Sequence, residues 1–121
     1  MSSARAEFSE HGEIVVATLI GEVDLANASP LGEVIAARLS NDVVSLVLDL
    51  HAVSYLDSAG IQLIYRLRED LRARAQELRL VVPESCASHA TLRLAGVEHQ
   101  LNCLQTLGEA LGQLEGLDSG R

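Results

Sequence analysis

The 121-residue chain has no lysine and no tryptophan, and only two cysteines, two prolines and three aromatic residues, Phe8, Tyr55 and Tyr65. Each shortage removes a class of function. Without a lysine ammonium there is no Walker-type phosphate loop, no Schiff base and no kinase active site. With three scattered aromatics there is no stacking platform for single-stranded bases. A formal charge of −8 and a pI near 4.8 argue against any nucleic-acid partner, because such binding draws its affinity from basic patches. Cys86 and Cys103 are too far apart in sequence for a CxxC redox or zinc motif. Buried thiols are the plain reading of the pair, and a redox bridge stays open, since its geometry cannot be read from sequence.

Nowhere do 18 apolar residues run together, and the first ten positions hold no apolar signal core, so no membrane insertion and a cytoplasmic location are expected. What is present suits one compact α/β domain. The chain is 48% hydrophobic and 21% charged, enough for a core with a solvated surface. One domain over residues 1–121 is expected, with a core of about 5–115 and a frayed tail at 116–121.

Glu7 to Ser9, the His11-Gly12 turn and the apolar run Ile14 to Ile20 read as a hairpin. Asn27 and Ser29 are N-cap types, Pro30 suits a first helical position, and Leu31, Val34, Ile35 and Leu39 share a face, which predicts a helix ending near Ser40-Asn41. Val43 to Leu50 is apolar on both sides and is expected to be a central strand. Ile61 to Ala75, with Ile64, Leu67 and Leu71 opposite arginines and acids, predicts a second helix. Leu78 to Val82, stopped by Pro83, completes a right-handed βαβ unit. A third helix over Ser88 to Leu94, a short strand within Gln100 to Leu104 and an amphipathic stretch from Leu107 to Leu114 follow. The expected fold class is α/β, with a mixed sheet of about four to five strands: an antiparallel hairpin, then parallel strands joined by crossover helices.

The informative segment is Leu48 to Gly60, which carries Ser58 from a buried strand onto the opening turn of a helix. Ser58 is expected to be exposed there. Helix openings offer unpaired N–H groups and the positive end of the dipole, so a phosphate on Ser58 would find donors. Asp57 and Asp24 are expected to surround the hydroxyl with negative charge. Asp and Ser before a helix are also what N-capping requires, and most such serines only cap. A hydrolase elbow, GxSxG, fails because Leu56 occupies the first glycine position. Arg66, Arg68, Arg72 and Arg74 alternate with Glu69 and Asp70 and read as a solvated face. His51, His89 and His99 show no metal-ligand spacing, and neither a metal nor a cofactor is expected.

The segment Gly21-Glu22-Val23-Asp24-Leu25-Ala26-Asn27-Ala28, the strand Leu46 to Leu50, and Asp57-Ser58-Ala59-Gly60 leading into a helix together resemble the STAS domain of bacterial anti-sigma-factor antagonists. The resemblance implies a non-enzymatic binding module. In that family the serine at the position of Ser58 is phosphorylated by an anti-sigma factor that is also a serine kinase, and a PP2C-type phosphatase removes the phosphate. The bare antagonist captures the anti-sigma factor and so regulates sigma-factor-dependent transcription. Asp24 matches the acidic residue beside the switch; Asp57 and Gly60 match the helix entry; Ala59 stands where many members have a second serine. The implied partner surface is Asp24, Asp57, Ser58, Ala59 and Gly60. Homodimer formation stays open, as does a constitutive scaffold or accessory-subunit role in a stress-signalling assembly or lipid transporter.

Overall fold

The computed structural model describes residues 3–97 and 100–118. The elements run in the order β1 (Ala4–His11), β2 (Ile14–Val23), α1 (Ala28–Ala36), β3 (Ser45–Leu56), α2 (Ser58–Ala73), β4 (Glu77–Val81), α3 (Ser88–Leu94), β5 (Asn102–Leu104) and α4 (Leu107–Asp118). The sheet order is β1-β2-β3-β4-β5, antiparallel between β1 and β2 and parallel thereafter. This is the mixed α/β sheet expected from the pattern of elements.

Alternation along the strands divides the core into two layers. Val15, Ala17, Leu19, Leu46, Leu48, Leu50, Leu78 and Leu80 face α1, α2 and α3. Ile14, Val16, Val47 and Val81 face Ala110, Leu107 and Leu111 of α4. The first six residues of β3 are therefore buried from both sides, which is why they read as an unbroken apolar run.

Several boundaries differ from the sequence expectation. β3 continues six residues past Leu50, to Leu56. Its pairing with β2 shifts register between Thr18 and Ile20 and again between Gly21 and Glu22. Each shift inserts an extra β3 residue, so the two-residue period breaks: Val53 and Leu56 return to the core while His51, Ser54 and Tyr55 are exposed. The hairpin strands are likewise longer than Glu7–Ser9 and Ile14–Ile20, and Gly21 holds the added turn of chain. Its φ is +107°, and a Cβ there would collide with the Ser3 carbonyl oxygen, which accepts from Glu22 N at 2.9 Å.

The first helix ends at Ala36, short of Ser40-Asn41, and Pro30 is its third residue, where a missing N–H is still harmless. Val34 is 51% exposed and does not join Leu31, Ile35 and Leu39 in the core. It directly precedes Ile35 and so lies about 100° around the helix from the buried stripe. The second helix opens at Ser58 and closes at Ala73, earlier at both ends than expected. Gly116 to Asp118, expected in a frayed tail, belong to α4; residues 119–121 and His99 lie outside the described residues. Cys86 and Cys103 are half-buried thiols, less enclosed than expected, and are not joined in a disulfide.

Candidate partner-binding site

The parallel strands β2 and β3 end side by side. Val23 pairs with Leu56, and Asp57 N donates to Val23 O at 3.2 Å. Asp24 and Asp57 thus follow paired residues on adjacent strands, and each starts the loop or turn that leads into a helix. The sheet itself brings the two sequence motifs together.

At the second of these turns Asp57 is extended (φ −106°, ψ −169°) and its side chain caps α2. Asp57 Oδ1 accepts from Ala59 N at 2.9 Å and from Gly60 N at 3.2 Å, and Asp57 O accepts from Ile61 N at 3.1 Å. Ser58 is the first helical residue and is exposed. The capping role falls to Asp57, and the hydroxyl of Ser58 takes no part in it. One expectation is corrected here: the N–H groups of Ala59 and Gly60 are already occupied by the Asp57 carboxylate. A phosphate on Ser58 would meet the positive helix end but also a fixed negative neighbour, and would be left pointing at whatever docks against the surface.

Gly60 is buried under the turn. A Cβ at that position would collide with Leu56 Cδ1 and come within 3.2 Å of Val23 Cγ1. The absence of a side chain lets the helix start seat directly on the ends of β2 and β3. Ala59 is half-buried and packs against the core.

Asp24 is held by its own loop. Its Oδ1 accepts from Ala26 N at 3.0 Å, and its carbonyl accepts from Asn27 N and Ala28 N. Asn27 returns the tie: its Oδ1 accepts from Asp24 N at 3.0 Å and its Nδ2 donates to Glu22 O at 2.8 Å. Among the described residues the Asp24 carboxylate makes no hydrogen bond to Ser58; it shapes the loop instead of ringing the hydroxyl. What the loop displays is Leu25, 83% exposed. Leu25, Ala28 and Ser29 on one side and Ala59, Gln62, Leu63 and Arg66 on the other line a shallow cleft of about 110 Å³ beside Ser58.

Leu25, Ser29 and Gln62 carry no site signal in the sequence pattern, and Arg66 reads as part of a solvated face. The usable clue for Leu25 was a large apolar residue inside a polar Asp-Leu-Ala-Asn turn. Arg68 is paired with Glu69, and Arg74 is bonded to the Leu39 carbonyl, away from this cleft. Among the described residues no His, Cys, Asp and Glu are grouped to hold a metal ion. Among the described residues the Ser58 hydroxyl has no hydrogen-bonded base.

A comparison with protein families matches the STAS domain over residues 5–110. The chain belongs to the STAS domain family. This STAS domain is 28% identical over 109 residues to RsfB of Mycobacterium tuberculosis, named an anti-sigma-F factor antagonist, covering 89% of this chain and 87% of that protein. An anti-sigma factor antagonist from Mycobacterium paratuberculosis has the same fold, with TM-score 0.83 and 26% identity over 93% of this chain and 95% of that one. The antagonist SpoIIAA, solved in its unphosphorylated form, shares the fold at TM-score 0.72 and 23% identity, covering 94% and 99% of the two chains. Its phosphorylated form from Bacillus gives TM-score 0.67 and 21% identity over 90% and 98%. Among the described residues, no helix of this STAS domain is long and apolar enough to cross a membrane.

Proposed function

We propose that this STAS domain is an anti-sigma factor antagonist that binds a kinase-type anti-sigma factor in the cytoplasm and is switched off by phosphorylation of Ser58. It acts by binding and catalyses nothing itself. The observation that carries this reading is an exposed hydroxyl, uninvolved in capping, on a rigid turn whose neighbouring loop displays Leu25. The similarity to RsfB and the existence of a phosphorylated SpoIIAA support it.

Burying Leu25 on a partner would contribute about 1.5–3 kcal/mol. The bare Ser58 hydroxyl tolerates such an interface, because it can donate or accept. Once esterified it carries about −1.5 to −2 charges. Desolvating an unpaired dianion costs several kcal/mol, and about 4 kcal/mol is a thousandfold in affinity. The Asp57 carboxylate deepens the effect by holding two of the backbone donors that could otherwise neutralise the phosphate. No change of fold is needed for the switch. Removal of the phosphate by a PP2C-type phosphatase would restore the binding surface.

The test is to incubate the chain with a kinase-type anti-sigma factor and ATP and map the product by peptide mass spectrometry. Phosphate on Ser58, absent in Ser58→Ala, is the expected result. Modification of a different residue, or none, would contradict the assignment.

A further inference from the structure

The two outer strands of the sheet differ in length. β5 holds three residues, whereas β1 runs for eight, from Ala4 to His11, and among the described residues nothing pairs with its outer side. A strand edge is a row of unpaired N–H and C=O groups, a template for another chain. Which residues supply them follows from the hairpin. His11 pairs with Ile14 across a two-residue turn, and Ser3 O accepts from Glu22 N at 2.9 Å. Bonded residues alternate along an antiparallel pair, so the odd-numbered residues of β1 bond to β2, and the main-chain groups of Ala4, Ala6, Phe8 and Glu10 point outward.

The side chains of β1 divide between two faces. Ala4, Ala6 and Phe8 are half-buried and pack against the helix-covered core, while Arg5 and Glu7 are exposed on the opposite face, 3.3 Å apart. A second β1 laid antiparallel along this edge must set outward residues against outward residues, so a twofold axis falls on a residue. With the axis at Ala6, Arg5 of each copy stands opposite Glu7 of the other, at the closely spaced non-bonded positions, and Ala4 stands opposite Phe8. An axis one residue away, at Arg5 or at Glu7, would set like charges face to face. Charges on an edge ordinarily discourage pairing; here their order makes the edge complementary to itself.

The apolar face suits the same register. Ala4, Ala6, Pro30, Leu31 and Val34 line a shallow groove of about 290 Å³ between β1 and α1, and Val34 is 51% exposed. Phe8 of a second copy, opposite Ala4, would extend the apolar row beside this groove. The groove shares no residue with the Ser58 cleft. We propose that two copies of this STAS domain pair through their β1 edges into a twofold dimer with its axis at Ala6. The two five-stranded sheets become one, joined by about six main-chain hydrogen bonds. The pairing does not depend on phosphorylation of Ser58.

The test is sedimentation equilibrium of the full chain from about 5 µM to about 1 mM, a range that covers the weak dimers a small interface forms. The unmodified chain should dimerise with a dissociation constant of roughly 10–100 µM. Arg5→Glu and Glu7→Arg, both at exposed positions, should each weaken self-association by about tenfold or more, because every cross-strand pair then repels. Mixed in equal amounts, the two variants should form a heterodimer about as tight as the unmodified dimer, since the acidic edge of one meets the basic edge of the other. A chain that stays monomeric up to about 1 mM, a dimer that survives either charge change, or a mixture that associates no better than its components would overturn the proposal.

Discussion

The two edges of the parallel sheet are held by different kinds of hydrogen bond. At the amino edge, the loop after α1 is tied by side chains far away in sequence. Gln76 Nε2 donates to Ser40 O at 2.9 Å and Val43 O at 2.6 Å, and an Arg74 guanidinium nitrogen donates to Leu39 O at 2.9 Å. At the carboxyl edge, the carboxylates of Asp24 and Asp57 accept from N–H groups two or three residues further along their own loops. Long-range ties join α1, α2 and β3 and so belong to the stability of the whole domain. Short ties fix one loop each and leave what that loop displays, Leu25 and Ser58, facing solvent. Stability and the proposed docking should therefore be separable by mutation.

Replacing Leu25 with Asp should give the largest effect, a loss of up to about 3 kcal/mol in anti-sigma factor binding, with thermal stability unchanged; calorimetric titration beside a melting curve checks both halves. Gln76→Ala should do the reverse. It strips two carbonyls of a buried donor and leaves a void, costing about 2–3 kcal/mol in denaturant unfolding while the remaining folded protein binds normally. If binding fell in proportion to stability in both variants, the two edges would not be distinct.

Asp57→Ala sits between them. Losing the cap should cost about 1 kcal/mol of stability, and it frees the N–H groups of Ala59 and Gly60. In the phosphorylated chain those groups could then neutralise the phosphate, so the ratio of bare to phosphorylated affinity should shrink; an unchanged ratio would remove Asp57 from the switch. The smallest effect is expected at the amino edge. Ala75 follows α2 with φ +58°, a left-handed conformation that glycine adopts without strain. Ala75→Gly should therefore raise stability by less than about 1 kcal/mol, or leave it even, with binding untouched; a clear loss would show that the turn tolerates alanine without strain.

Much of this architecture was legible in the residues. The Val43–Leu50 run, the Ile64, Leu67 and Leu71 stripe and the alternation of Leu78, Leu80 and Val82 each have one period, and each became the element expected. The continuation of β3 through His51 to Leu56 was hidden because two bulges break the period that reveals a strand. Val34 was misplaced by a single position on a short helix, where one turn gives few constraints. At the candidate site, Asp24, Asp57, Ser58 and Gly60 were proposed from motif and cap chemistry, and they lie at the adjacent ends of β2 and β3. The open N–H groups of the helix start were expected to receive an anion, although the adjacent Asp57 was the better-placed acceptor and takes those of Ala59 and Gly60. The display of Leu25 was not visible, because exposure depends on how β2 and β3 end together, and no local pattern encodes that.

The account rests on what a phosphate at Ser58 does to docking. The direct measurement is the affinity of one kinase-type anti-sigma factor for the bare chain and for chain carrying phosphoserine at position 58, each first shown to have the same melting temperature. The expected result is a loss on the order of a thousandfold on phosphorylation, with Ser58→Ala binding like the bare chain. Equal affinity of the bare and phosphorylated forms would contradict it.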